Sequence, residues 1–210
     1  MKTEIINERS GLARAAEVLL SGGLCAVPTE TVYGLSASGL DPAAVARIYE
    51  VKGRPETKPI SLLVSGIRSL PLLCRDVPAR AYLLAEAFWP GPLTMILRRS
   101  SRVPDIVTAG GDTVGVRCPD HPLTLELLRL CGVPLATPSA NISGMPSPKD
   151  ASGVLSYFDG RIECLIDGGP CRVSIESTIV DLTSRQPRLL RPGGLPVEYI
   201  ENVLHCEVLR

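Results

Sequence analysis

Short apolar runs, too brief for helices, alternate along this chain with segments whose apolar residues recur at helical spacing. That alternation leaves few architectures open. The short runs need a common sheet, and the helical segments carry the apolar stripe that covers it. Residues 24–27, 60–64, 93–97, 113–117, 134–136, 163–166, 178–182 and 187–190 read as strands. Residues 12–20, 42–50, 66–73, 78–88, 122–130, 149–157 and 197–204 read as helices. Asp41 followed by Pro42 has the chemistry of an N-cap and a first helical residue. Residues 28–35 and 101–112 read as loops, and Trp89-Pro90-Gly91-Pro92 as a stiff turn. With 19 Gly and 19 Pro among 210 residues, many connections must be shaped turns. No composition shift marks a linker. The expectation is one α/β domain over residues 1–210: a twisted mixed sheet flanked by helices. Ligands of such sheets sit beyond the strand ends, where loops converge.

Charge and rare residues remove several functional classes. Lys and Arg number 22 and Asp and Glu number 22, so the formal net charge is zero. A protein that coats nucleic acid or an anionic membrane would be basic. The seven cysteines show no CxxC spacing and mostly sit in apolar runs, which favours reduced thiols over disulfides or zinc. Only His121 and His205 are available for imidazole chemistry. A histidine triad or a histidine metal centre is therefore not expected, and His121 before Pro122 reads as a helix-start residue. GxxxxGK[ST], GxGxxG, HExxH, GxSxG and SxxK are all missing. The N-terminus has no signal-peptide core, and no stretch is long enough to span a bilayer. A cytoplasmic, membrane-free protein is the expectation.

Two polar stretches remain to be explained. Lys52-Gly53-Arg54-Pro55-Glu56-Thr57-Lys58-Pro59 puts three cations in one short segment. Such cations repel one another unless an anion or acid neutralises them. Either a ligand does so, or Glu50 and Glu56 do in a solvated loop. Thr137-Pro138-Ser139-Ala140-Asn141 follows an apolar run, and Ser143 and Ser147 extend its polar character. It is either a turn or a set of hydroxyls and an amide that orient a ligand. Arg117 closes a strand on the face of Thr113, opposite Val114 and Val116. A guanidinium there either clamps a carboxylate with two prongs or sits in an ion pair. Arg191, before Pro192-Gly193-Gly194, poses the same choice, and the hydroxyls of Ser177 and Thr178 either edge a strand or face a ligand.

Taken in chain order, the motifs Pro28-Thr29-Glu30-Thr31-Val32-Tyr33-Gly34-Leu35, Lys52-Gly53-Arg54-Pro55, Trp89-Pro90-Gly91-Pro92-Leu93-Thr94, Val116-Arg117 with His121-Pro122, Pro138-Ser139-Ala140-Asn141 with Ser143-Gly144, Glu176-Ser177-Thr178-Ile179-Val180-Asp181 and Arg191-Pro192-Gly193 resemble the YrdC-like threonylcarbamoyl-adenylate synthases. The resemblance implies a YrdC-type fold with a large basic cavity, in the single-domain form without a second C-terminal domain. It implies nucleotidyl transfer: L-threonine, bicarbonate and ATP give threonylcarbamoyl-AMP and diphosphate. The carbamoyl group then passes to an adenosine of tRNA through a separate transferase complex, so contact with tRNA is indirect. Position by position, threonine would meet Thr31, Arg117, Thr137 and Ser177. ATP would meet Lys52, Arg54, Lys58, Thr113, Ser139, Asn141, Ser147 and Arg191, with Lys52 and Arg54 also cast as catalytic. Mg²⁺ would come with ATP, held mainly by the phosphates, and no organic cofactor is implied. A homodimer stays open.

Two other readings compete. An RNA-binding module would use a basic concave face, which zero net charge disfavours. A paralogue without this synthase activity, or one serving another acceptor, would share the fold. The related hydrogenase-maturation proteins of that kind are much longer.

Overall fold

The structure, a computed structural model, describes residues 2–210. Ten strands form one mixed sheet: β1 (Glu4–Ile6), β2 (Cys25–Val27), β3 (Gly34–Ser38), β4 (Leu62–Leu63), β5 (Leu93–Arg98), β6 (Thr113–Arg117), β7 (Leu135–Ala136), β8 (Cys164–Ile166), β9 (Thr178–Asp181) and β10 (Arg188–Arg191). Their order across the sheet is β1-β8-β2-β3-β7-β4-β6-β5-β9-β10. The pairs β1–β8, β8–β2, β4–β6 and β5–β9 are parallel; the other neighbours are antiparallel.

Eight helices cover the sheet: α1 (Leu12–Leu20), α2 (Pro42–Lys52), α3 (Leu70–Leu73), α4 (Ala79–Phe88), α5 (Asp105–Thr108), α6 (Pro122–Cys131), α7 (Ala151–Phe158) and α8 (Val197–Leu204). Alternation along the strands divides the core between two faces. On one face Leu12 and Leu19 of α1 and Leu127 and Leu128 of α6 pack with Cys25, Val27, Cys164 and Ile166. On the other, Leu24, Ala26, Leu35 and Leu165 pack with Ile48 of α2, Leu84 of α4, Phe158 of α7 and Ile200 of α8. Six cysteines are buried in or beside these layers, and Cys206 is exposed. No described helix is long and apolar enough to cross a membrane.

The expected α/β class holds, with local differences. β1 and β3 fall in segments that carry no strand reading. The strand expected over 60–64 pairs only at Leu62–Leu63, because Ile60 N bonds Val107 O instead. The segment read as helix over 66–73 is a 3-10 turn at Ile67–Ser69 leading into α3. The loop expected over 101–112 contains α5.

One difference touches the site. Lys52 is not part of a loop: it is the last residue of α2. Asp41 starts that helix by accepting from Ala43 N at 2.9 Å and Ala44 N at 3.3 Å. Gly53 stops it in the left-handed region at φ 59°, where a glycine costs least. Helix geometry turns Lys52 inward, while Lys58 stays exposed. The three cations therefore do not share one loop.

Candidate functional site

Polar segments from all along the chain meet at one cavity beyond the strand ends. The loop after β2 supplies Thr29, Val32 and Tyr33 to its wall, and Gly34 at the start of β3 joins them. The stretch after α2 supplies Arg54 and Ser61, β4 supplies Leu63, β6 ends in Arg117, and the segment after β7 gives Thr137 and Ser139. Thr94 of β5, Glu176 and Ser177 ahead of β9, and Arg191 at the end of β10 complete the polar wall. Two backbones approach closely at its floor: Leu35 N bonds Pro138 O and Ala140 N bonds Tyr33 O, both within 2.9 Å. Gly34 permits this, since a Cβ there would lie 2.3 Å from Thr137 Cγ2.

The three wall arginines differ in their surroundings. Arg54 donates to two carbonyls, Nη2 to Pro59 O at 2.9 Å and Nε to Lys58 O at 3.3 Å, and lies beside the Tyr49 hydroxyl. Burial, the main cause, lowers its pKa. Arg191 is clasped by Ser177: Nε and Nη2 reach its carbonyl at 3.1 and 2.8 Å, and Nη2 reaches its hydroxyl at 3.1 Å. Its Nη1 meets Glu176 Oε2 at 2.6 Å, a pair in which both side chains are about 40% exposed. Arg117 is nearly closed off. Its Nε donates to Gly91 O at 3.2 Å, and Nη2 lies 2.8 Å from Glu30 Oε2. That second contact is off the N–H axis, so it is ionic rather than a well-aimed hydrogen bond. Gly91 thus occupies Nε and Glu30 faces the buried Nη2, so the expected two-pronged clamp is reduced to Nη1.

Of the residues named from sequence, Arg54, Arg117, Thr137, Ser139, Ser177 and Arg191 share this wall. Four stand behind it. Lys52 is buried and donates to Ser139 O at 2.5 Å and to Asn141 O. Burial, helped by Arg54, pushes its pKa down to about 7, while the two carbonyls favour the ammonium. Asn141 is buried and ties its loop through Nδ2 to Ile142 O and Met145 O, and its Oδ1 accepts from Ser139 at 2.5 Å. Thr31 is fully buried, its hydroxyl 2.9 Å from that of Thr29. Ser147 donates to Glu176 Oε1 at 2.9 Å. Lys58 and Thr113 are not on the wall. Thr113 starts β6, about 13 Å from Arg117 at the usual strand rise.

Sequence reasoning gave no role to Glu30, Ser61, Thr94 or Glu176. Glu176 is the one carboxylate on the wall. Thr94 bonds Ser177 Oγ at 2.8 Å. Glu30 and Thr94 lie inside recognisable motifs, but their partners are far away in the chain.

Fold and wall define an α/β protein whose sheet opens onto an arginine-lined, hydroxyl-rich cavity suited to anions. The family model described as telomere recombination, Sua5/YciO/YrdC, matches residues 17–193. A threonylcarbamoyl-AMP synthase of Pyrococcus abyssi is 50% identical over 207 residues, covering 96% of this chain and 61% of that protein. A threonylcarbamoyl-AMP synthase of Bacillus subtilis is 46% identical, covering 92% of this chain and 56% of the other. The chain thus spans about 60% of the length of these relatives. The crystal structure of P. abyssi Sua5 complexed with L-threonine superposes with a TM-score of 0.97 at 48% identity, over 99% of this chain and 63% of that one. This chain belongs to the Sua5/YciO/YrdC family.

Proposed function

We propose that this chain is a threonylcarbamoyl-AMP synthase, joining L-threonine, bicarbonate and ATP and releasing diphosphate. The observation that carries the reading is the cavity itself: three arginines, with Thr137, Ser139 and Ser177 between them, face one space. Relatives named for this activity support it. Threonine amine and bicarbonate condense to an N-carbamate with loss of water. A carbamate oxygen then attacks the α-phosphate, and the bond to diphosphate breaks. The carbamate is already an anion, so no strong protein base is needed. The protein's task is to hold two anions together and stabilise charge on the leaving group. Arg117 holds the threonine carboxylate; Arg54 and Arg191 serve the phosphates; Thr137 and Ser139 stand between the two. Lys52, Asn141, Thr31 and Ser147 act from behind the wall, by fixing the loops that carry it.

Mg²⁺ enters in this reading as part of the ATP complex. A single wall carboxylate, itself paired with Arg191, suits an ion held mainly by phosphates. The product serves a separate transferase that modifies tRNA, which fits a cytoplasmic setting with buried thiols.

Diphosphate release, measured with each substrate left out in turn, tests the reading. Release should require threonine, bicarbonate and ATP together. Release that ignores threonine or bicarbonate would sink it.

A further inference from the structure

Glu30 is buried at 2% exposure, next to a cavity proposed to bind anions, and the mechanism above gives it no task. Its loop is fixed without a ligand. Thr29 Oγ1 donates to Val32 O at 2.6 Å, Thr31 bonds Thr29, and Glu30 O accepts from Val173 N at 2.7 Å. Glu30 Oε2 faces Arg117 Nη2 at 2.8 Å and accepts from Asp120 N at 3.1 Å. On the other side Gly91 O holds Arg117 Nε, while Gly91 N is itself bonded to Cys118 O at 2.8 Å. Arg117 cannot swing away from this frame, and its charge is matched by a carboxylate that cannot leave. Arg54, by contrast, has no carboxylate partner: it meets the carbonyls of Lys58 and Pro59 and the Tyr49 hydroxyl, and keeps its whole positive charge. Glu176 beside Arg191 is about 40% exposed, so water screens that pair as it does not screen Glu30 and Arg117.

We propose that Glu30 is a specificity-determining residue: it holds and neutralises Arg117 so that this arginine takes a lone carboxylate and refuses phosphate. The inference rests on the assignment of threonine to Arg117. An arginine already matched by a buried carboxylate gives a polyanion little net attraction, while its Nη1 can still bond a single carboxylate. Arg54 lacks such a partner and remains attractive to phosphates. The two anions are thereby sorted into their own places before they react.

Calorimetric titration of threonine, with and without inorganic phosphate, tests this. For the wild type, threonine affinity should change less than about twofold as phosphate rises to millimolar levels. In Glu30→Gln, phosphate should compete with threonine, and the ratio of threonine to phosphate affinity should fall about tenfold or more, the scale of one charge-assisted hydrogen bond. Glu30→Asp, which keeps the charge, should retain most of the wild-type preference. A merely structural role would lower melting temperature and both affinities without changing their ratio. Displacement of threonine by phosphate from the wild type overturns the proposal even if the Gln variant fails to fold. So does an unchanged ratio in a folded Gln variant. A wild type that binds ATP but no threonine overturns the functional reading as well, so the two failures are told apart.

Discussion

Arg54, Arg117 and Arg191 reach the same cavity from different chemical surroundings, so their loss should be felt differently. Arg54→Ala should weaken ATP binding and leave threonine binding nearly intact; Arg117→Ala should do the reverse. Each removes a charge-assisted bond, worth roughly 1.5–3 kcal/mol, or about ten- to a hundredfold in affinity. Separate titrations of the two ligands check this, and equal losses of both in either variant would contradict the division. Arg117, Ser139 and Arg191 were legible in the sequence because cations and small hydroxyls at strand ends, in an apolar chain, have few structural reasons to be there. Glu30 was not, because its partner Arg117 lies far along the chain and nothing in local spacing announces an ion pair. Lys52 was legible as a residue but not in its placement. Only the helix geometry, with Gly53 as its stop, shows that it turns inward.

The elements that read well are those with both periodicity and caps. α2 has Asp41, Pro42 and Gly53 to mark its ends, and the valines of β6 alternate cleanly. β3 escaped notice because Gly34-Leu35-Ser36-Ala37-Ser38 contains no β-branched residue, yet it is buried throughout. Tertiary pairing makes it a strand: it bridges β2 and β7, and its first residue lies against Thr137. Gly34→Ala tests that element. The added Cβ would push Thr137 or separate the two backbones. The expected cost is about 1–3 kcal/mol of stability, as for overpacked sites, with a larger fractional loss of substrate affinity than any surface variant shows. Urea unfolding and threonine titration measure the two effects, and a variant as stable and as competent as wild type would show the close approach to be unimportant.

Across the whole molecule, buried ionisable groups give stability a characteristic pH profile. Lys52 has its pKa depressed to about 7, against 10.5 when unfolded. Between those values the unfolded chain binds a proton that the native one does not, so stability rises with pH, by at most about 1.4 kcal/mol per unit. The carbonyls that bond its ammonium make the rise shallower. Burial works the other way on the thiols. It is the leading cause of raised pKa at Cys74, to about 12, and at Cys118, Cys131 and Cys171, to about 11; Cys25 is raised chiefly by a hydrogen bond with the neighbouring free thiol of Cys164. As pH nears 9, their ordinary value, the unfolded thiols lose protons that the native ones keep, and five thiols outweigh one lysine, so stability falls. Urea melts from pH 7 to 10.5 should show a maximum between about pH 8 and 8.5, where the five thiols together offset the one lysine, and Lys52→Met should remove the rise below it. A flat or falling profile from pH 7 to 8, unaltered by that substitution, would refute the assignment.

The strand order carries a last consequence. Glu4 lies opposite Cys164, and Leu93 opposite Thr178, so the sheet closes only when distant parts of the chain meet. Such topology makes for slow folding, because long loops must be ordered before their contacts repay the entropy. The cavity draws on residues from Thr29 to Arg191. No early fragment can hold a partial version of it, and a nascent chain acquires its grip on anions only after Arg191 has been made.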